Sequence, residues 1–79
     1  MKKNKISLCD VPVGGKARVI ELRNNGSNRR RFLDLGLISG TVVDVLYKSP
    51  AKNPVAYRIR GAVIALRNED AADILVEYI

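Results

Sequence analysis

Histidine and tryptophan are absent from this 79-residue sequence, cysteine occurs once, and one phenylalanine and three tyrosines supply all of its aromatic rings. Each shortage removes a class of function. Without imidazole, no side chain has an ordinary pKa suited to proton transfer near neutrality, and no nucleophile has a base beside it, so no catalytic residue and no enzyme are expected. The single thiol, Cys9, builds neither a disulfide framework nor a soft metal site, and it fits a reducing, cytoplasmic setting better than secretion. Glu69, Asp70 and Asp73 are the only clustered carboxylates, and acids in the first turn of a helix are accounted for by its dipole. No metal and no cofactor are therefore expected. The scarcity of aromatics also argues against a nucleic-acid stacking platform and against a groove for proline-rich peptides.

Long apolar runs are missing too. The longest, Ala62 to Leu66, is far short of the ~20 residues that span a bilayer, so direct membrane insertion is not expected. Met1-Lys2-Lys3 looks like the start of an export signal, but Ser7, Asp10 and Pro12 break the apolar stretch that should follow. A chain of this length makes one domain with a small core, from which folding removes only about 60 to 65% of the unfolded surface. We read residues 1–5 as a flexible basic tail and 6–79 as that domain.

What the chain does hold is charge, unevenly placed. The net charge is +6; all 14 Lys and Arg fall in residues 1–67 against four acids, whereas residues 68–79 carry four acids and no base. That imbalance predicts an electrically polar molecule steered toward an acidic partner.

Strand signals recur along the chain. Lys16 to Leu22 is rich in β-branched residues, but Ala17 and Val19 fall on one face and Ile20 and Leu22 on the other, which predicts a bulge or an edge. Asn24-Asn25-Gly26-Ser27-Asn28 is a dense turn cluster in which Ser27 or Asn28 suits a helix N-cap. From Thr41, residues Val43, Val45 and Tyr47 share one face; Val55, Tyr57 and Ile59 repeat the pattern after Pro50 and Pro54. Gly61-Ala62 reads as a tight hairpin turn, Ala62 to Arg67 as a further strand, Asn68 as the cap of a helical turn, and Ile74, Val76 and Tyr78 as the last strand. Leu8 and Val11 are placed to cover one end of the core. About five short strands, a short helix after the first and a helical turn before the last predict a mainly β fold, a small barrel that shares one core and pairs its edges.

The most informative unit is Arg29-Arg30-Arg31-Phe32-Leu33-Asp34-Leu35-Gly36-Leu37-Ile38-Ser39-Gly40-Thr41-Val42. A helix this short cannot persist alone, so Phe32, Leu33, Leu35 and Leu37 are expected to spend their apolar surface against the rest of the fold. Gly36 suits the left-handed position that closes a helix, and Gly40 a turn. Leu33, Leu35, Gly36, Leu37, Gly40 and Gly61 thus have structural roles. Arg29, Arg30 and Arg31 are left facing outward in the helix half where the dipole disfavours them, which marks them as candidate partner contacts, although Arg30 and Asp34 are also spaced for a surface ion pair.

That unit, together with Ser7 to Gly15, Arg58 to Arg67 and Asp70 to Val76, resembles the ferrous iron transport protein A (FeoA) family over nearly the whole chain. The resemblance implies an SH3-like barrel and a bacterial cytosolic accessory protein of ferrous iron uptake. Its partner would be the ferrous iron permease, docked on the cytosolic GTP-binding portion. The chain is also similar to the C-terminal domain of iron-dependent repressors, which implies the alternative of a regulatory protein- or anion-binding module. A monomer or weak dimer is expected.

Overall fold

The computed structural model describes residues 5–79 and shows six antiparallel strands in one sheet, a mainly β fold with two short helices. In chain order these are β1 (Ile6–Ser7), a 3-10 turn (Leu8–Asp10), β2 (Lys16–Leu22), α1 (Gly26–Asp34), β3 (Val42–Lys48), β4 (Val55–Ile59), β5 (Ala62–Leu66), α2 (Asn68–Ala71) and β6 (Ile74–Tyr78). The ladder runs β1-β6-β2-β3-β4-β5. The strand beyond the five expected is β1, two residues that pair with Leu75 and Val76 of β6. The full closure expected of a barrel is not reached by hydrogen bonding, since β1 and β5 end the ladder without pairing to each other. Most of the proposed basic tail, residues 1–4, lies outside the described residues; Lys5 reaches Glu21, Nζ to Oε1 at 3.0 Å.

One core fills the curl of the sheet. Leu8 and Val11 close one end, as expected, while Ala17, Val19, Val43, Val45, Tyr57, Ile59, Leu66, Ile74 and Val76 come from the strands and Phe32 from the helix. The predicted irregularity in β2 is a bulge. The register with β6 shifts between Val19 and Glu21, and the extra residue, Ile20, carries Leu22 back to the side of Val19. A second register shift, in β3 between Val45 and Tyr47, was not signalled by the alternation. It ejects Tyr47, which is 58% exposed rather than in the core. Tyr78 is exposed as well, but it lies on β6, paired with Ala17 of β2, while Tyr47 lies on β3, paired with Ala56 of β4, and β2 runs between β6 and β3. The two rings therefore form no shared stacking face.

Three turn assignments change. The β4–β5 hairpin turns on Arg60-Gly61, not Gly61-Ala62. Ile59 pairs with Ala62, and both turn residues have positive φ, 51° and 85°, the two-residue geometry whose twist matches the strands. The first helix begins at Gly26 with Asn25 as N-cap, earlier than Ser27 or Asn28, and no side chain caps it. Asn24 is instead buried, its Nδ2 donating to the Asp70 carbonyl at 3.2 Å, so α1's approach is tied to α2. Asn68 caps nothing with its own side chain: its backbone N–H donates to Asn53 Oδ1 at 3.0 Å, and Asn53 does the capping from the β3–β4 loop.

Topology also redistributes charge. The acidic last strand lies beside the basic β2, where Glu77 faces Arg18 in register and their side chains approach to 3.4 Å. The polarity read along the chain is thus partly cancelled in space.

Candidate functional site

Helix α1 is held at its end by local chemistry that the sequence specifies. Gly36 has φ +98°, the Gly36 N–H donates to Leu33 O and the Leu37 N–H to Phe32 O, both at 3.0 Å, which is the Schellman closure. The residues that flank this closure, Phe32 and Leu37, are both fully buried, so hydrophobic burial locks the turn that the glycine permits. Thr41 Oγ1 donates to the Gly36 carbonyl at 2.7 Å, which also accepts from the Ile38 N–H at 2.9 Å, so the turn after the helix is fastened to the approach to β3. A further tie comes from the β4–β5 turn: the Arg60 stem lies across Gly36 so closely that a Cβ there would collide with Arg60 Cδ. The Arg60 cation thereby sits near the negative end of the α1 dipole.

Arg29, Arg30 and Arg31 are all exposed but are not equivalent. Arg29 Nη1 donates to the Leu22 carbonyl at 2.8 Å, stapling the helix to the end of β2. Arg31 holds its guanidinium 5.1 Å from the Phe32 ring centroid. Arg30 makes no hydrogen bond or ion pair among the described residues; the Arg30–Asp34 pair allowed by spacing does not form. Arg30 is therefore the arginine of the run that is free for a partner.

Leu33 departs from the expectation that it packs inward; it is 39% exposed, whereas Leu37 is buried and Leu35 packs at the margin of the core. A nine-residue helix can turn only part of its circumference to the sheet, and Phe32 and Leu37 occupy that part. Leu33 instead lines a shallow groove with Ile20, Ile38, Ser39 and Arg29. Neither Ile20 nor Ile38 was expected as part of a surface site: Ile20 was noted only for the broken alternation and Ile38 only within the glycine-punctuated unit. Ile20 reaches the groove only because the bulge frees it, and Ile38 because the Schellman turn redirects the chain outward. Gly40, φ +95°, donates its N–H to the Val19 carbonyl at 2.8 Å and so ties the turn after Ser39 to β2.

The surrounding electrostatics are cationic with local compensation. Lys5, by hydrogen bond and then by charge, holds the Glu21 carboxyl below the usual carboxylate range, and Arg23 Nε lies 3.7 Å from the same carboxylate. Cys9 is half-buried away from this face; burial, then Asp10, raises its thiol pKa, so it rests protonated at neutral pH. Burial, with a smaller contribution from Cys9, pushes the Tyr57 hydroxyl up to about 12. Among the described residues, no three cysteine and carboxylate side chains gather as a metal cage would require. The arrangement offers a basic helix surface beside an apolar furrow, which suits binding.

Residues 6–78 match the FeoA domain. The chain belongs to the FeoA domain family. Among its relatives is an Fe(2+) transport protein A/Fe(2+) transporter FeoB fusion protein of Porphyromonas gingivalis, 36% identical over 72 residues, or 91% of this chain. The chain spans only 8% of that relative's length. The FeoA-like protein of Clostridium acetobutylicum superposes with a TM-score of 0.88 at 37% identity, covering 100% of this chain and 91% of that one. The FeoA of Stenotrophomonas maltophilia, described as a prokaryotic SH3 domain protein and solved with zinc, matches at a TM-score of 0.81 and 25% identity over 90% of this chain and 88% of that one. A manganese-dependent transcriptional repressor shares the fold, with a TM-score of 0.86 at 18% identity, and this chain covers 44% of it. The FeoA-like fold thus places the glycine-closed helix, its arginines and the groove on one face. None of the described helices is long and apolar enough to cross a membrane.

Proposed function

We propose that this protein is a non-enzymatic, cytosolic accessory module of ferrous iron uptake that docks on the GTP-binding portion of the ferrous iron permease and supports or regulates transport. The observation that carries the reading is the relative in which the FeoA and FeoB parts share one polypeptide, so the two are held together by covalent linkage. Tethering raises effective concentration, and a contact that natural fusion makes permanent is one that separate chains must make by affinity. The α1 face supplies that contact: Arg30 is unpaired, Arg29 and Arg31 flank it, and Leu33 and Ile38 add apolar area. A buried core of such partners, rimmed by guanidinium groups, is the usual anatomy of a binding hot spot.

Calorimetric titration of the permease's purified cytosolic portion checks this. Native protein should bind, and Arg30→Glu should weaken binding by about tenfold or more, on the order of 1.4 kcal/mol. Arg29→Glu/Arg30→Glu/Arg31→Glu should abolish it. Unchanged affinity in the triple variant would remove α1 from the interface. The repressor-like alternative rests on likeness of fold alone, and no described residue favours it.

A further inference from the structure

The two ends of the ladder are unlike. At one end β1 is two residues long, and Ser7 Oγ already donates to the Ala72 carbonyl at 2.8 Å. Short edges of this kind offer little to an incoming strand. At the other end β5 spans five residues, Ala62-Val63-Ile64-Ala65-Leu66, paired to β4 in unbroken register with no bulge, proline or charge. Because Ile59 and Ala62 close the Arg60-Gly61 turn, hydrogen bonding to β4 falls on Ala62, Ile64 and Leu66 in alternation. The N–H and C=O of Val63 and Ala65 therefore face away from the sheet, and neither residue has another partner among those described. Both side chains are exposed, Val63 to 55%.

Three guanidiniums surround this uncharged edge. Arg60 and Arg67 stand at its two ends, and Arg58 lies opposite Val63 on β4. All three are exposed, and none forms an ion pair or side-chain hydrogen bond among the described residues. They differ in this from Arg18, Arg23 and Arg29, which are engaged. A second copy of the chain is a poor occupant. In antiparallel self-pairing centred on Ile64, Arg67 of one copy falls opposite Gly61 of the other, one residue from its Arg60, so cations gather with no acid between them at both ends. An acidic strand meets the opposite situation.

The geometry points to β5 as a strand-addition site for an extended segment of another protein that carries Asp or Glu at each end of a short apolar stretch. Backbone hydrogen bonds to Val63 and Ala65 would supply register, and the terminal carboxylates would meet Arg60 and Arg67. The edge is distinct from the Arg29 to Arg31 surface, and it shares with α1 only Arg60, whose stem crosses Gly36 at the helix end.

The probe is a blocked peptide, acetyl-Glu-Val-Thr-Val-Thr-Val-Glu-amide, compared with a counterpart ending in lysine at both ends, using amide hydrogen exchange read by NMR. The acidic-ended peptide should slow exchange of the Val63 and Ala65 amides and bind at least tenfold tighter than the lysine-ended one. Val63→Pro removes an outward donor that β4 does not use, and should abolish that binding. Arg60→Glu/Arg67→Glu keeps every backbone donor and should reverse the preference between the two peptides, which serves as the test if the proline variant does not fold. Exchange at Val63 and Ala65 unaffected by either peptide, equal affinity for both, or protection that rises with protein concentration alone would overturn the proposal.

Discussion

Phe32 and Leu33 are neighbours on one short helix, yet they live in different solvents. Phe32 is fully buried under the Schellman turn, while Leu33 looks out over a groove beside the unpaired Arg30. The inner face of α1 holds the fold together, and the outer face is left for something else. A helix of nine residues makes the distinction sharp, because it has too few turns to bury more than one narrow stripe.

The largest way to test this contrast is truncation. Phe32→Ala should destabilise the protein by about 3 to 5 kcal/mol in chemical denaturation, whereas Leu33→Ala should cost at most about 1 kcal/mol. Comparable losses at the two positions would erase the inner and outer faces.

The tyrosines sharpen the same contrast through pH. Tyr57 is sealed in the core and its hydroxyl is pushed up to about 12, whereas Tyr47 is exposed. The unfolded chain loses the Tyr57 proton near pH 10, before the folded chain does, so stability present below about pH 10 is lost as pH rises toward about 12. The loss should be on the order of 2 kcal/mol; Tyr57→Phe should remove that slope and Tyr47→Phe should leave it intact.

Next come the glycines. Gly36 and Gly40 both have positive φ, but only Gly36 is crossed by a side chain, that of Arg60. Gly40→Ala should cost about 1 to 2 kcal/mol from backbone strain alone, and Gly36→Ala more, because Arg60 must also move. Equal melting temperatures for the two would show that the Arg60 packing contributes nothing.

The smallest effect separates the arginines. Arg29→Met loses the bond to Leu22 O and should cost about 1 kcal/mol of stability, while Arg30→Met should leave stability within about 0.5 kcal/mol. If Arg30 proved the more stabilising, it would be a structural residue and not one held for a partner.

Much of the fold was legible because it is written in local chemistry. Valine alternation marked β3 and β4, the broken alternation of Lys16 to Leu22 announced a bulge or an edge that the structure resolves as a bulge at Ile20, and the Leu35-Gly36 pair marked the helix end. What misled was pattern without partner. Tyr47 continues the alternation of Val43 and Val45 faithfully, and nothing near it signals the register shift that turns it outward. Asn68 looks like a cap, but Asn53 from a distant loop takes the role. Arg29-Arg30-Arg31 reads as one basic cluster, and only their separate acceptors reveal that Arg30 alone is uncommitted.

By itself, then, the sequence determined where strands and the helix end fall, since backbone conformation at glycine and the period of apolar residues depend only on near neighbours. The tertiary structure alone decided which apolar residues stay wet, which arginines find acceptors and which strand edge is left open. Each of those outcomes depends on what a segment meets across the sheet, and a ladder that places β6 between β1 and β2 brings together residues that no local window contains.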